Sequence, residues 1–115
     1  MEDVKEFLKK LDFSDIQRTI ETLSKATVFY AYYVQEYAKA HIERRIKEAE
    51  AFLQTKNGEK KTVAEREAEA LLSVENIYRN EKTLEAIIEA LEQTMTTCRK
   101  ILETSKKEED YSQYI

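Results

Sequence analysis

The apolar positions of the chain fall at helical spacing almost from end to end. Val4, Phe7, Leu8 and Leu11 recur by threes and fours over residues 2–12, with Glu2 and Asp3 at the end where a helix dipole favours negative charge. This predicts a short amphipathic helix ending near Asp12-Phe13-Ser14. Ser14, followed three residues on by Gln17, reads as a capping box that opens a second helix. From there Phe13, Ile16, Ile20, Leu23, Thr27, Tyr30, Val34, Tyr37 and His41 alternate as the a and d positions of a heptad seam. Further on the stripe shifts to Ile42, Ile46, Ala49 and Leu53. The expected first arm covers 14–54 and is about 60 Å long at 1.5 Å per residue.

Residues 55–61 contain Asn57-Gly58, a pair that tolerates the backbone of a tight turn, so the arm is expected to end there. Thr62-Val63-Ala64-Glu65 is a second capping box and opens a second arm over 62–107. Ser73, with Glu75 and Asn76 behind it, either caps a further helix after a bend or lies inside an unbroken one. Ile77, Leu84, Ile88, Leu91, Met95, Cys98 and Leu102 form the seam of this arm, interrupted only by Glu81. Ile87, Ala90, Thr94, Thr97 and Ile101 flank it, and residues 108–115 read as a polar tail. The pattern predicts one all-α domain over 1–115, a long antiparallel helical hairpin with a short N-terminal helix and coiled-coil-like packing.

Two arms cover only the seams they turn toward each other. Phe29, Tyr33 and Ala40 on the first and Ile87 and Ile101 on the second widen the apolar faces beyond one seam. Leaving them wet would expose a large patch, so a homo-oligomer is expected, with residues Ile20, Leu23, Tyr30, Val34, Tyr37, Leu84, Ile88, Leu91, Met95 and Leu102 at its interface. The other solution is that the first helix folds back over the surplus.

Composition agrees with long helices: no proline, one glycine and 37% charged residues of both signs. One cysteine allows no internal disulfide, which suggests a reducing compartment. No run of about 18 apolar residues occurs and the start is not a basic leader. A cytoplasmic location without membrane contact is therefore expected. The net charge of −4 argues against indiscriminate binding to nucleic acid, though not against a local basic face.

Candidate chemistry is thin. His41 is the only histidine, with no second ligand at fixed spacing, and the chain has no Glu-x-x-His motif. Cys98 lies on an apolar seam and reads as a small core residue. No enzyme, cofactor, metal or small-molecule substrate is expected. Three basic clusters remain: His41, Arg44, Arg45 and Lys47; Lys56, Lys60, Lys61 and Arg66; and Arg99, Lys100, Lys106 and Lys107. With Tyr30, Tyr32, Tyr33 and Tyr37 nearby, an oligomer could repeat them into a groove for a single strand. Equally, the tyrosines could be core and the lysines could only solubilise helix ends.

Lys61-Thr62-Val63-Ala64-Glu65-Arg66-Glu67, then Leu71-Leu72-Ser73-Val74-Glu75, then the long Leu/Ile/Glu heptad helix, resembles small helical recombination mediators of bacteriophages, the UvsY type. The resemblance is one of layout and covers most of the chain. It implies an oligomeric accessory factor that binds single-stranded DNA and helps load a recombinase by remodelling a single-strand-binding protein in a bacterial host cell. The positions it implies at the strand are Lys60, Lys61 and Arg66, with Arg44 and Arg45 beside them. The acidic balance departs from that pattern. The alternative function is a small helical protein-interaction or inhibitor module, a viral adaptor acting on a protein partner without nucleic acid.

Overall fold

The computed structural model describes residues 1–56 and 62–113, and every regular element among them is α-helical. The elements are α1 (Glu2–Lys9), α2 (Ile16–Lys56), α3 (Val63–Ser73) and α4 (Glu75–Gln113). The expected turn at Asn57-Gly58 lies outside the described residues. The chain divides into two compact units, Met1–Tyr33 with Ile87–Ile115, and Val34–Ala86.

In the first unit α1 is short, and Val4 is its buried anchor. It folds back onto α2, where the Phe7 and Phe29 rings sit 5.3 Å apart. The start of α2 is set by Asp15 and not by Ser14. The Asp15 carboxylate accepts the Arg18 N–H at 2.7 Å, and its carbonyl accepts the Thr19 N–H at 3.0 Å. Ser14 instead donates its N–H to Asp12 Oδ1 at 2.9 Å, an Asx turn that bends the chain between the helices. Hydrogen bonding from the side chain of Ser14, and then from its backbone, holds the Asp12 carboxyl below its usual value.

On α4 the expected seam residues Leu91, Met95 and Cys98 are buried, but on α2 the fully buried line is not the heptad seam of large residues. Thr19, Thr22 and Ala26 are buried on α2, and Leu91, Thr94, Met95 and Cys98 on α4, while Ile16 and Ile20 are exposed. The physical reason is that threonine buries its methyl group at little polar cost when its hydroxyl returns to its own helix. Thr19 donates to the Asp15 carbonyl, Thr22 to that of Arg18, and Thr94 to that of Ala90, at 2.8–2.9 Å. The helices run in opposite senses here, since Thr27 reaches Met95 and Tyr30 reaches Glu92.

In the second unit α3 begins as its sequence signals, with the Thr62 hydroxyl accepting the Glu65 N–H at 3.1 Å. It does not run on into α4. Val74 leaves helical geometry at φ −110° and ψ 13°, and its N–H turns back to the Leu71 carbonyl. Its own carbonyl accepts the Tyr78 N–H and so opens α4, which makes the break one residue beyond Ser73. Val74 is buried, which fixes the junction in place.

Two further expectations are corrected. Helix α4 continues to Gln113, past the expected end at 107. Lys106, Lys107, Glu108 and Glu109 are good helix formers and nothing in this stretch breaks the backbone pattern. Of the residues read as surplus apolar surface, Tyr33, Ala40 and Ile87 are buried within the chain, and Phe29 and Ile101 are half-buried. The exposed large residues are others: Ile16, Ile20, Val28, Tyr32 and Val34, and in the second unit Ile42, Ile46, Leu53, Leu71 and Leu72.

Candidate functional site: a buried carboxylate between a histidine and an arginine

The most concentrated chemistry lies in the second unit, around the residue that interrupts the seam of the second arm. Glu81 faces α2 and is 4% exposed. Its Oε1 lies 2.7 Å from His41 Nδ1, and its Oε2 accepts from Arg44 Nε. Because an ionised carboxylate only accepts, the proton of the first contact belongs to Nδ1. Arg44 also donates from Nη1 to Glu48 at 2.9 Å and lies 5.5 Å from the centre of the Tyr78 ring. Tyr37 stacks on His41 with centroids 6.1 Å apart, and Lys82 covers Tyr78 at 5.6 Å.

Burial pushes the Glu81 carboxyl up, yet hydrogen bonds from Arg44 and His41 outweigh it and hold the group below its usual value. The bond to Glu81 in turn raises Arg44. Glu81 is therefore charged at neutral pH. Sliding or rotating α4 against α2 in this unit would leave that charge buried without its hydrogen-bond donors, at a cost of several kcal/mol. The cluster thus fixes the register of the two helices here.

The signal for this site was present in the sequence. A glutamate in an apolar seam requires a cationic partner, and His41 and Arg44 lie one turn apart at the end of the other seam. Linear spacing could not show that the two arms bring them together across 40 residues of chain.

The residues singled out for nucleic acid are scattered among different roles. Arg44 is committed to Glu81 and Glu48, and its side chain is 14% exposed. Arg45 is exposed and lines a groove of about 640 Å³ with Ala49 and Phe52 of α2 and Ala64, Ala68 and Leu71 of α3. Arg66 lays its guanidinium 5.3 Å from the Phe52 ring, and its buried Nε has no hydrogen-bond partner among the described residues. Lys60 and Lys61 lie outside the described residues. Of the tyrosines, Tyr33 is buried, Tyr30 and Tyr37 are half-buried, and Tyr32 is exposed. Glu92 accepts the Tyr30 hydroxyl proton and raises that group.

The expected interface residues also divide. Leu84, Leu91 and Met95 are buried in the chain's own core; Leu23, Tyr30, Tyr37, Ile88 and Leu102 are half-buried; Ile20 and Val34 are exposed. Cys98 is fully buried, and burial raises its thiol, which suppresses the reactive thiolate. Among the described residues no group of three or more His, Cys, Asp or Glu side chains is placed to hold a metal ion. No helix among them is long and apolar enough to cross a membrane. No family model matches the chain, and no curated protein or solved structure is significantly similar to it.

Proposed function

We propose that the protein is a non-enzymatic accessory protein of the cytoplasm that acts as a coiled-coil-like oligomer and offers helical faces to a protein partner. One observation carries this reading. Ile42, Ile46 and Leu53, at 59%, 52% and 58% exposure, follow one another along α2 at helical spacing. Isolated exposed apolar residues are ordinary, but a stripe of them marks a contact surface. The charges along this part of α2 are of both signs (Lys39, Glu43, Lys47, Glu50), which suits another helix better than a run of phosphates. Light scattering tests this directly. The wild type is expected above monomer mass, and Ile42→Glu with Ile46→Glu is expected at monomer mass with unchanged helix content. A wild type that stays monomeric at every concentration overturns the oligomer.

A second reading, a phage-type mediator that binds single-stranded DNA and helps load a recombinase, draws support from exposed Arg45 at the groove and from Arg66 over the Phe52 ring. It expects a labelled oligonucleotide to bind with an affinity that falls steeply with salt, and binding to weaken in Arg45→Glu. No change in anisotropy at low salt leaves the protein-partner reading alone.

A further inference from the structure

Helices α3 and α4 are separated by Val74 alone, and nothing in the local sequence breaks a helix there. Ser73-Val74-Glu75 contains neither proline nor glycine. The apolar pattern also runs through the junction without a change of phase. Ala70, Val74, Ile77, Glu81 and Leu84 follow one another by fours and threes, as the seam of one helix would. At φ −110° and ψ 13°, Val74 lies about 50° from helical values in each angle. The bend is therefore imposed by packing and not by the local chain.

Two contacts with α2 show what the bend absorbs. Arg44 lies 5.5 Å from the centre of the Tyr78 ring of α4, and further along α2 the Phe52 ring lies 5.3 Å from Arg66 of α3. Between these contacts the second arm runs from 66 to 78, while α2 runs only from 44 to 52. The second arm is longer by four residues, about one helical turn. The Glu81 cluster fixes α4 against α2 but holds no residue of α3.

We propose that the second arm is a two-state element. One state is the bent form; the other is a continuous helix through Val74, in which α3 has slid one turn, about 6 Å, along α2. Four residues turn a helix through only about 40°, so the slide presents nearly the same face of α3 to α2 again. In the straight state Val74 stays on the seam and Ala70 takes the place of Arg66 opposite Phe52. Ala64 passes beyond the end of α2 at Lys56. The groove that Arg45, Ala49 and Phe52 form with Ala64 and Ala68 thus belongs to the bent state alone. Whatever occupies that groove selects the bend, and straightening the arm releases it.

The test is a distance within the arm. Spin labels at the exposed sites Glu67→Cys and Ala86→Cys are read by double electron–electron resonance, with Cys98 buried and out of reach of the label. A continuous helix sets the two backbone positions about 28 Å apart, and the bent form brings them about 6 Å closer. Ser73→Ala with Val74→Ala favours helix through the junction and is expected to raise the long-distance population about fivefold over wild type. Glu75→Pro is expected to abolish that population, since proline is accepted at the first position of α4 and excluded from a helix interior. Circular dichroism checks that each variant keeps its helix content. A distance distribution that Ser73→Ala with Val74→Ala leaves as in the wild type overturns the second state. So does a long distance that survives Glu75→Pro.

Discussion

The two units solve the same packing problem with different materials. In the unit of Met1–Tyr33 and Ile87–Ile115, the helix contact is lined by Leu91, Met95 and Cys98, with threonines whose hydroxyls are satisfied on their own helices. Helix α1 adds Val4 and the Phe7–Phe29 contact. In the unit of Val34–Ala86, the contact is centred on a charged glutamate held by His41 and Arg44, with Leu84 and Val74 buried while Ile42, Ile46, Leu53, Leu71 and Leu72 are exposed. The first arrangement draws its stability from area removed from water, which does not depend on register to any fine degree. The second gains little net energy from its ions but penalises every register except one. A chain built on repeating threes and fours needs such a device somewhere, since apolar stripes by themselves permit sliding.

The sharpest way to separate the two is to damage each at its centre. Leu91→Ala leaves a cavity in a fully buried position and is expected to cost about 3 kcal/mol in urea denaturation. Glu81→Gln keeps the shape but removes the charge that Arg44 and His41 share, and is expected to cost about 2 kcal/mol at neutral pH. Acid distinguishes them further. The folded value of Glu81 lies below its usual 4.5, so the group adds stability above that pH and loses it as pH falls toward the lowered folded value. The groups facing it are His41 and Arg44, with Glu48 and Tyr78 around Arg44. Leu91→Ala should therefore keep the wild-type loss of stability below pH 4.5, while Glu81→Gln should flatten it. Equal acid sensitivity in Glu81→Gln and wild type would remove the ion cluster from the account of this unit.

Much of the helical plan was legible because it depends on local rules. The absence of proline and the Thr62 cap act within one turn, and the structure keeps both consequences. Which face of α2 turns inward was not legible, because α2 carries two stripes of similar strength. One holds Ile16, Ile20 and Val34; the other holds Thr19, Thr22, Ala26, Tyr33 and Ala40, and it is the second that is buried. A pattern that counts threonine as polar assigns it to water, whereas an i−4 hydroxyl bond makes it nearly apolar. The site was hidden for a related reason. Glu81 looked like a gap in a seam because its partners lie on the other arm, and only the pairing of α2 with α4 converts the gap into a contact.

The smallest expected effect concerns the entry to α2, where two adjacent residues compete for one role. A capping box assigned to Ser14 requires its hydroxyl to accept the N–H three residues on, at Gln17. In the structure the carboxylate of Asp15 accepts the Arg18 N–H, so the cap is displaced by one residue and the box has no glutamate or glutamine at its third position. Asp15 also places a negative charge at the positive end of a 41-residue helix, which Ser14 could not supply. Asp15→Ala is expected to cost about 1 kcal/mol in thermal or urea unfolding. Ser14→Ala keeps the backbone N–H that binds Asp12 and should change stability by only a few tenths of a kcal/mol (about 0.3). The reverse order would return the cap to Ser14. It would also shift the start of α2 by one residue, and with it the rotation that places Thr19 and Thr22 at the contact line.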